Sequence, residues 1–173
     1  MLKVNSVQTL WVKQLILTKK KVNQMKLIEN VKGTKGELNI VLRDEAGNVK
    51  QEVTVPNLVV NTGLAYIASR MKDTTLAAMT HMGVGSGTTN PAAGDTALET
   101  ALGARVALTS TTVTANAIAY VATFGAGSGT GAVTEAGIFN ALTSGTMLCR
   151  TEFAVINKGA SDSMTITWTV TIS

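Results

Sequence analysis

Cysteine, histidine, proline and the aromatics are all scarce in this chain, and each shortage narrows what it can do. One cysteine, Cys149, in 173 residues excludes an intrachain disulfide and any zinc site built from several thiolates. Lying in TMLCRTEF, it reads as a small buried strand residue, as free cysteines usually are. One histidine, His81, has no second imidazole to share a metal and no nucleophile or orienting acid beside it, so it reads as a strand histidine near a loop. Aromatics are 4% of the chain, which leaves Ala, Val, Ile, Leu and Met to build the core. Charged residues are only 15%, against about 25% in ordinary globular chains. Thr and Ser take their place, a surface that suits strands and lasting contact with neighbouring protein. No run approaches the ~18 apolar residues of a membrane helix. LWVKQLIL at 10–17 is interrupted by Lys13 and Gln14, and no small-residue cleavage site follows, so neither a membrane span nor a signal peptide is expected.

The charge that is present is unevenly placed. Residues 1–32 hold seven lysines and one acid, Glu29, for a net +6, whereas the remainder carries eight basic and ten acidic groups, net −2. The sequence pI of about 9.3 therefore belongs to the first segment. Residues 1–35 read as a basic N-terminal arm ahead of a single β-domain over 36–173. A solvated tail or an edge strand of the body is the plainer alternative. Trp11 and its aliphatic neighbours argue against pure solvation, because leaving them in water is costly. The expected partner-binding residues are Leu10, Trp11, Leu15, Leu17, Lys19, Lys20 and Lys21.

From Gly36 the hydrophobic period becomes regular. ELNIVLR (37–43) alternates, DEAGN turns, and VKQEVTV (49–55) returns, which predicts a hairpin ended by Pro56-Asn57. Leu64, Ile67, Ala68 and Met71 follow at i, i+3, i+4, i+7, predicting one helix over 62–72 capped by Asn61 or Thr62. Strands are expected near 79–85, 104–112, 115–124, 133–140, 146–156 and 163–172. In the last, MTITWTVTI puts Met164, Ile166, Trp168, Val170 and Ile172 on one face and threonines on the other. The fold class is mainly β: an antiparallel β-sandwich, jelly-roll-like, or a barrel.

Two glycine-rich stretches, HMGVGSGTTNPAAGDTALET (81–100) and FGAGSGTGAVTEAG (124–137), have to be tested for chemistry. Gly83, Gly85 and Gly87 are spaced two apart with Pro91 following, which is not a dinucleotide fingerprint, and neither stretch carries the lysine of a P-loop. Ser86 and Ser128 have glycine on both sides, the wrong spacing for a nucleophile elbow. The glycines read as strand-end turns with positive φ. Asp95 reads as the cap of a short helical turn in DTALETAL. No catalytic residue, metal site or cofactor is expected, and no acid pair stands out. Nucleic acid is not an expected partner, because the body lacks a basic patch interleaved with aromatics.

The order NLVVNTGLAYIASRM, THMGVGSGTTNPAAGDTALETAL, VTEAGIFNA, TMLCRTEF and MTITWTVTI resembles a group of small structural proteins of tailed-bacteriophage particles. His81, Gly85, Gly87, Gly94 to Leu98 and Glu135 to Phe139 carry the likeness, which covers 37–173 and leaves the arm outside. The resemblance implies a virion location and a structural role: a decoration or cement protein on the outer capsid shell, with a tail, baseplate or fibre-attachment component as the alternative. The implied partner is the major capsid protein or another virion protein. A homotrimer is expected from the three-fold positions of a shell, and no membrane is involved.

Overall fold

The computed structural model describes residues 33–72 and 76–172. All seven arm residues named above therefore lie outside the described residues. From Gly33 onward the chain forms one compact unit.

The hairpin β1 (Lys35–Arg43) and β2 (Val49–Pro56) forms as its alternation predicts, closed by a turn in which Asp44 accepts from the Asn48 backbone at 2.8 Å. A two-residue strand, β3 (Leu58–Val59), leads into helix α1 (Asn61–Arg70). Eight further spans complete the chain: β4 (His81–Gly85), the long 86–105 loop, β5 (Val106–Ala107), β6 (Ser110–Thr114), β7 (Ala117–Phe124), β8 (Gly131–Phe139), β9 (Met147–Lys158) and β10 (Ser163–Thr171).

These strands make two five-stranded antiparallel sheets, ordered β2-β1-β10-β7-β6 and β3-β9-β8-β4-β5. The architecture is the sandwich rather than the barrel. Leu38, Ile40, Leu42, Tyr120, Phe124, Ile166 and Trp168 of the first sheet share one core with Met82, Val84, Val133, Ile138, Phe153 and Ile156 of the second. Strand β10 has the regular alternation its sequence predicts, every second side chain buried from Met164 to Val170. The few aromatics are spent here: Trp168 and Phe124 are fully enclosed.

Three local expectations are corrected. Residues 104–112 are not one strand, because the chain changes sheets at Leu108-Thr109. The two N–H groups there donate in opposite directions, to Thr80 O (2.9 Å) and Val121 O (2.7 Å). The helix buries Gly63 and Tyr66; of the predicted face Leu64, Ile67, Ala68 and Met71 only Ile67 packs against the core, and Met71 is 88% exposed. Gly63 turns inward because its missing side chain lets the helix rest on the Leu148 carbonyl. Its N-cap is Val60 without a side-chain bond, since the Thr62 hydroxyl is diverted to the Met147 carbonyl at 2.9 Å. Finally, no helical turn forms over 95–102; that segment belongs to the irregular loop described next.

Candidate functional site

On the outer face of the second sheet the glycines of β4 and β8 open a trench, and the 86–105 loop lies in it. Gly83 of β4 pairs with Gly137 of β8, and Gly85 pairs with Glu135. A Cβ on Gly85 would stand 2.5 Å from the Thr100 carbonyl oxygen, and one on Gly87 would stand 2.5 Å from Glu99 Cβ. The glycines quoted from 83–87 are therefore not positive-φ turns, which corrects the expectation. They are extended residues that let a loop and a carboxylate approach the sheet backbone. Positive φ occurs in the second glycine-rich stretch, at Gly127, Gly129 and Gly131, as expected there.

Glu135 stands in this trench with no exposure at all. Its Oε1 accepts from the N–H groups of Gly87 (3.1 Å) and Thr100 (2.8 Å). Its Oε2 accepts from the Glu99 N–H (3.1 Å) and from Arg150 Nε (2.8 Å). Arg150 sits on β9 opposite Gly137, whose missing side chain leaves room for the Phe139 ring and Leu98. Its Nη1 reaches Asp95 Oδ2 at 2.8 Å, and its Nη2 donates to the Thr89 carbonyl at 3.1 Å with Glu99 Oε2 at 3.7 Å. Glu99 in turn accepts from the Thr89 N–H and hydroxyl, both at 2.9 Å, and Asp95 accepts from the Ala92 N–H at 3.0 Å. Thr134 adds a bond to the Gly87 carbonyl at 2.7 Å.

This is one network, buried at Glu135 and Arg150 and open to solvent at Glu99, in which every guanidinium nitrogen and both Glu135 oxygens are engaged. Such groups are tolerated inside a protein only when paired in this way. Burial raises the Asp95 carboxyl, but the Ala92 N–H and Arg150 outweigh it and hold Asp95 below its ordinary range. The two Thr89 donors hold Glu99 low, with the Arg150 charge a smaller contribution. Burial opposes the charge on Arg150, yet Glu135 and Asp95 raise its pKa further. Three carboxylates converge, and the cation at their centre is Arg150. Among the described residues no group of three or more His, Cys, Asp or Glu side chains could hold a metal ion. The network presents no free acid, base or nucleophile. What it does is fasten a twenty-residue loop to a sheet.

A second fastening secures the other end of that loop. Arg105 stacks on the Phe139 ring at 3.4 Å and donates to the carbonyls of Ala141 (2.9 Å) and Ser144 (2.6 Å). At another edge of the sandwich Lys158, also buried, donates to the carbonyls of Gly125 (2.9 Å) and Asp162 (2.7 Å), while Asp162 Oδ2 pairs with Lys50 at 2.6 Å.

Of the singled-out residues, Cys149 is the expected buried strand residue, its thiol pushed well up by burial. His81 lies at the start of β4 with Nδ1 2.8 Å from the Thr80 hydroxyl. The role of Arg150 was not read from the sequence, and Asp95 was assigned a cap it does not make. The available signal was charge in the wrong place: Glu135 and Arg150 each interrupt an apolar strand, fifteen residues apart. Comparison with protein-family models, with curated proteins and with solved structures finds no match to this chain.

Proposed function

We propose that this chain is a structural virion protein of a tailed phage, and specifically a decoration or cement protein that binds the outer capsid shell through its N-terminal arm. One observation carries the reading. The stretches on which the resemblance rests, separated in sequence, converge on one device: Gly85 and Gly87 make room for Glu135, and Glu135 and Asp95 grip Arg150. In this chain those stretches form one lock that holds a loop onto the sandwich, which supports a structural role.

The physical logic is that of a tile. Titratable groups that an enzyme would leave poised are here consumed in fixing backbone, and residues 33–173, net −2, follow a first segment, 1–32, of net +6. Binding by many copies to a symmetric lattice lets modest contacts add through avidity. The test is the molar ratio of this protein to the major shell protein in purified particles, by quantitative mass spectrometry. A ratio near one, or a simple fraction of it, is expected. A ratio tens of times lower favours the tail, baseplate or fibre-attachment alternative, and absence from the particle overturns both.

A further inference from the structure

Four strands end the two sheets, and they are not equally protected. β3 and β5 are two residues long. β2 exposes Lys50 and Glu52, ends in Pro56, and faces a register shift at Leu42/Arg43. Charge, proline, bulges and brevity are how native sheets keep an edge from templating another chain. β6, Ser110-Thr111-Thr112-Val113-Thr114, has none of these, and all five residues are exposed.

The hydrogen-bond parity of this edge follows from its hairpin. β6 and β7 are joined by the two-residue turn Ala115-Asn116, so the closing pair Thr114–Ala117 is a bonded pair. Bonding then alternates to Thr112–Ala119 and Ser110–Val121, leaving the N–H and C=O of Thr111 and Val113 pointed away from β7. No described strand pairs with that side. Thr111 and Val113 lie opposite Tyr120 and Ile118, both turned toward the sandwich interior, so their side chains stand on the same face as an apolar groove of about 470 Å³. Tyr66, Met79, Ile118, Tyr120, Val170 and Ile172 line it. Val113, 67% exposed, stands on the strand that bounds it.

We infer that β6 is the docking edge for a second copy of this chain, the two strands pairing antiparallel about a two-fold axis at Thr112. That register sets Thr111 of each copy against Val113 of the other, and satisfies all four outward backbone groups of each edge at once. It places Thr112 against Thr112 at the axis, a cross-strand pair that is favourable in itself. An identical strand suits the site because β6 carries no charge to repel its own image, and an isologous contact must be self-complementary. Area makes the groove part of the interface. A five-residue strand is only about 17 Å long, and a stable dimer buries about 800 Å² on each partner. The exposed apolar side chains of Val113, Ile172 and Met71 around the groove must therefore be covered in the same contact. This inference stands independently of the virion reading, and it puts a two-fold dimer in place of the homotrimer expected from the shell's three-fold positions.

The experiment is sedimentation velocity on the full chain with charge exchange at the axis. The wild type is expected at twice the 18.0 kDa chain mass. Thr112→Lys and Thr112→Glu, each at an exposed position and checked for unchanged circular dichroism, are expected as monomers. Their equimolar mixture is expected to return to the dimer mass. Thr112→Cys should yield a disulfide-linked dimer under mild oxidation, because a non-bonded antiparallel pair holds its Cα atoms about 4.5 Å apart. A wild-type chain at monomer or trimer mass, a Lys variant that stays dimeric, or a mixture that stays monomeric overturns the proposal.

Discussion

Glu135 is enclosed and bonded to three backbone N–H groups as well as to Arg150. Removing one member of such a pair strands the other, so Glu135→Ala and Arg150→Ala should each cost about 3–5 kcal/mol in urea unfolding. Replacing both at once by apolar residues, Glu135→Leu with Arg150→Met, would rescue a simple ion pair. Here it should leave the protein well below wild type, because the N–H groups of Gly87, Glu99 and Thr100 lose their acceptor, at about 1–3 kcal/mol for each left unsatisfied. A double variant of wild-type stability would show that the pair, and not the loop backbone, is what Glu135 serves. The glycines give a paired test. Gly85→Ala drives a methyl group into the Thr100 carbonyl and should cost about 1–3 kcal/mol. Gly94→Ala meets open space and should stay within about 0.5 kcal/mol of wild type. The need for glycine at 85 could not be read from its own neighbourhood in sequence, because the atoms that demand it belong to residues 100 and 135.

Elements were legible in proportion to how local their causes are. β10 and the β1–β2 hairpin follow from alternation alone, and the helix follows from its period. Its buried face does not, because Gly63 against Leu148 is a long-range contact that periodicity cannot register. Likewise 104–112 carries enough β-branched and apolar residues for one strand, and only its two distant partners, Thr80 and Val121, divide it. The 86–105 loop is the least legible element: the bonds that fasten its Gly87, Thr89, Asp95, Glu99 and Thr100 to the sheet run to Glu135 and Arg150, far away in sequence. It should also be the first to respond to acid. Asp95 and Glu99 are held below their ordinary values of 3.8 and 4.5. Carboxylates depressed in the fold add stability above those values and lose it as pH falls through their lowered pKa. Hydrogen exchange at about pH 3, corrected for intrinsic rates and compared with pH 6, should therefore show faster exchange at Thr89 and Ala92 than at Ile166 or Trp168. Equal change in loop and strand would mean that the carboxylates stabilise the sandwich as a whole.

At the scale of the molecule, the proposed function assigns stability and attachment to different stretches of chain. The core, the Arg150 network and the Lys158 bridge all lie after residue 33, whereas the basic excess and Trp11 lie before it. If the virion reading holds, the two properties should separate by mutation. Trp11→Ala combined with Lys19→Glu, Lys20→Glu and Lys21→Glu removes the one large aromatic of the arm and shifts the charge of residues 1–32 by six, from +6 to net zero. Thermal unfolding of that variant should match the wild type, because the core and the bonded networks described above are built from residues after 33. Its recovery on purified shells after sedimentation should fall to background, and on the wild-type protein added salt should weaken binding, since lysine contacts to an acidic surface are screened within about 8–10 Å at physiological salt. Undiminished recovery would transfer attachment to the body, and the rigid 86–105 loop, fixed at both ends by arginine, would then be the surface to mutate next.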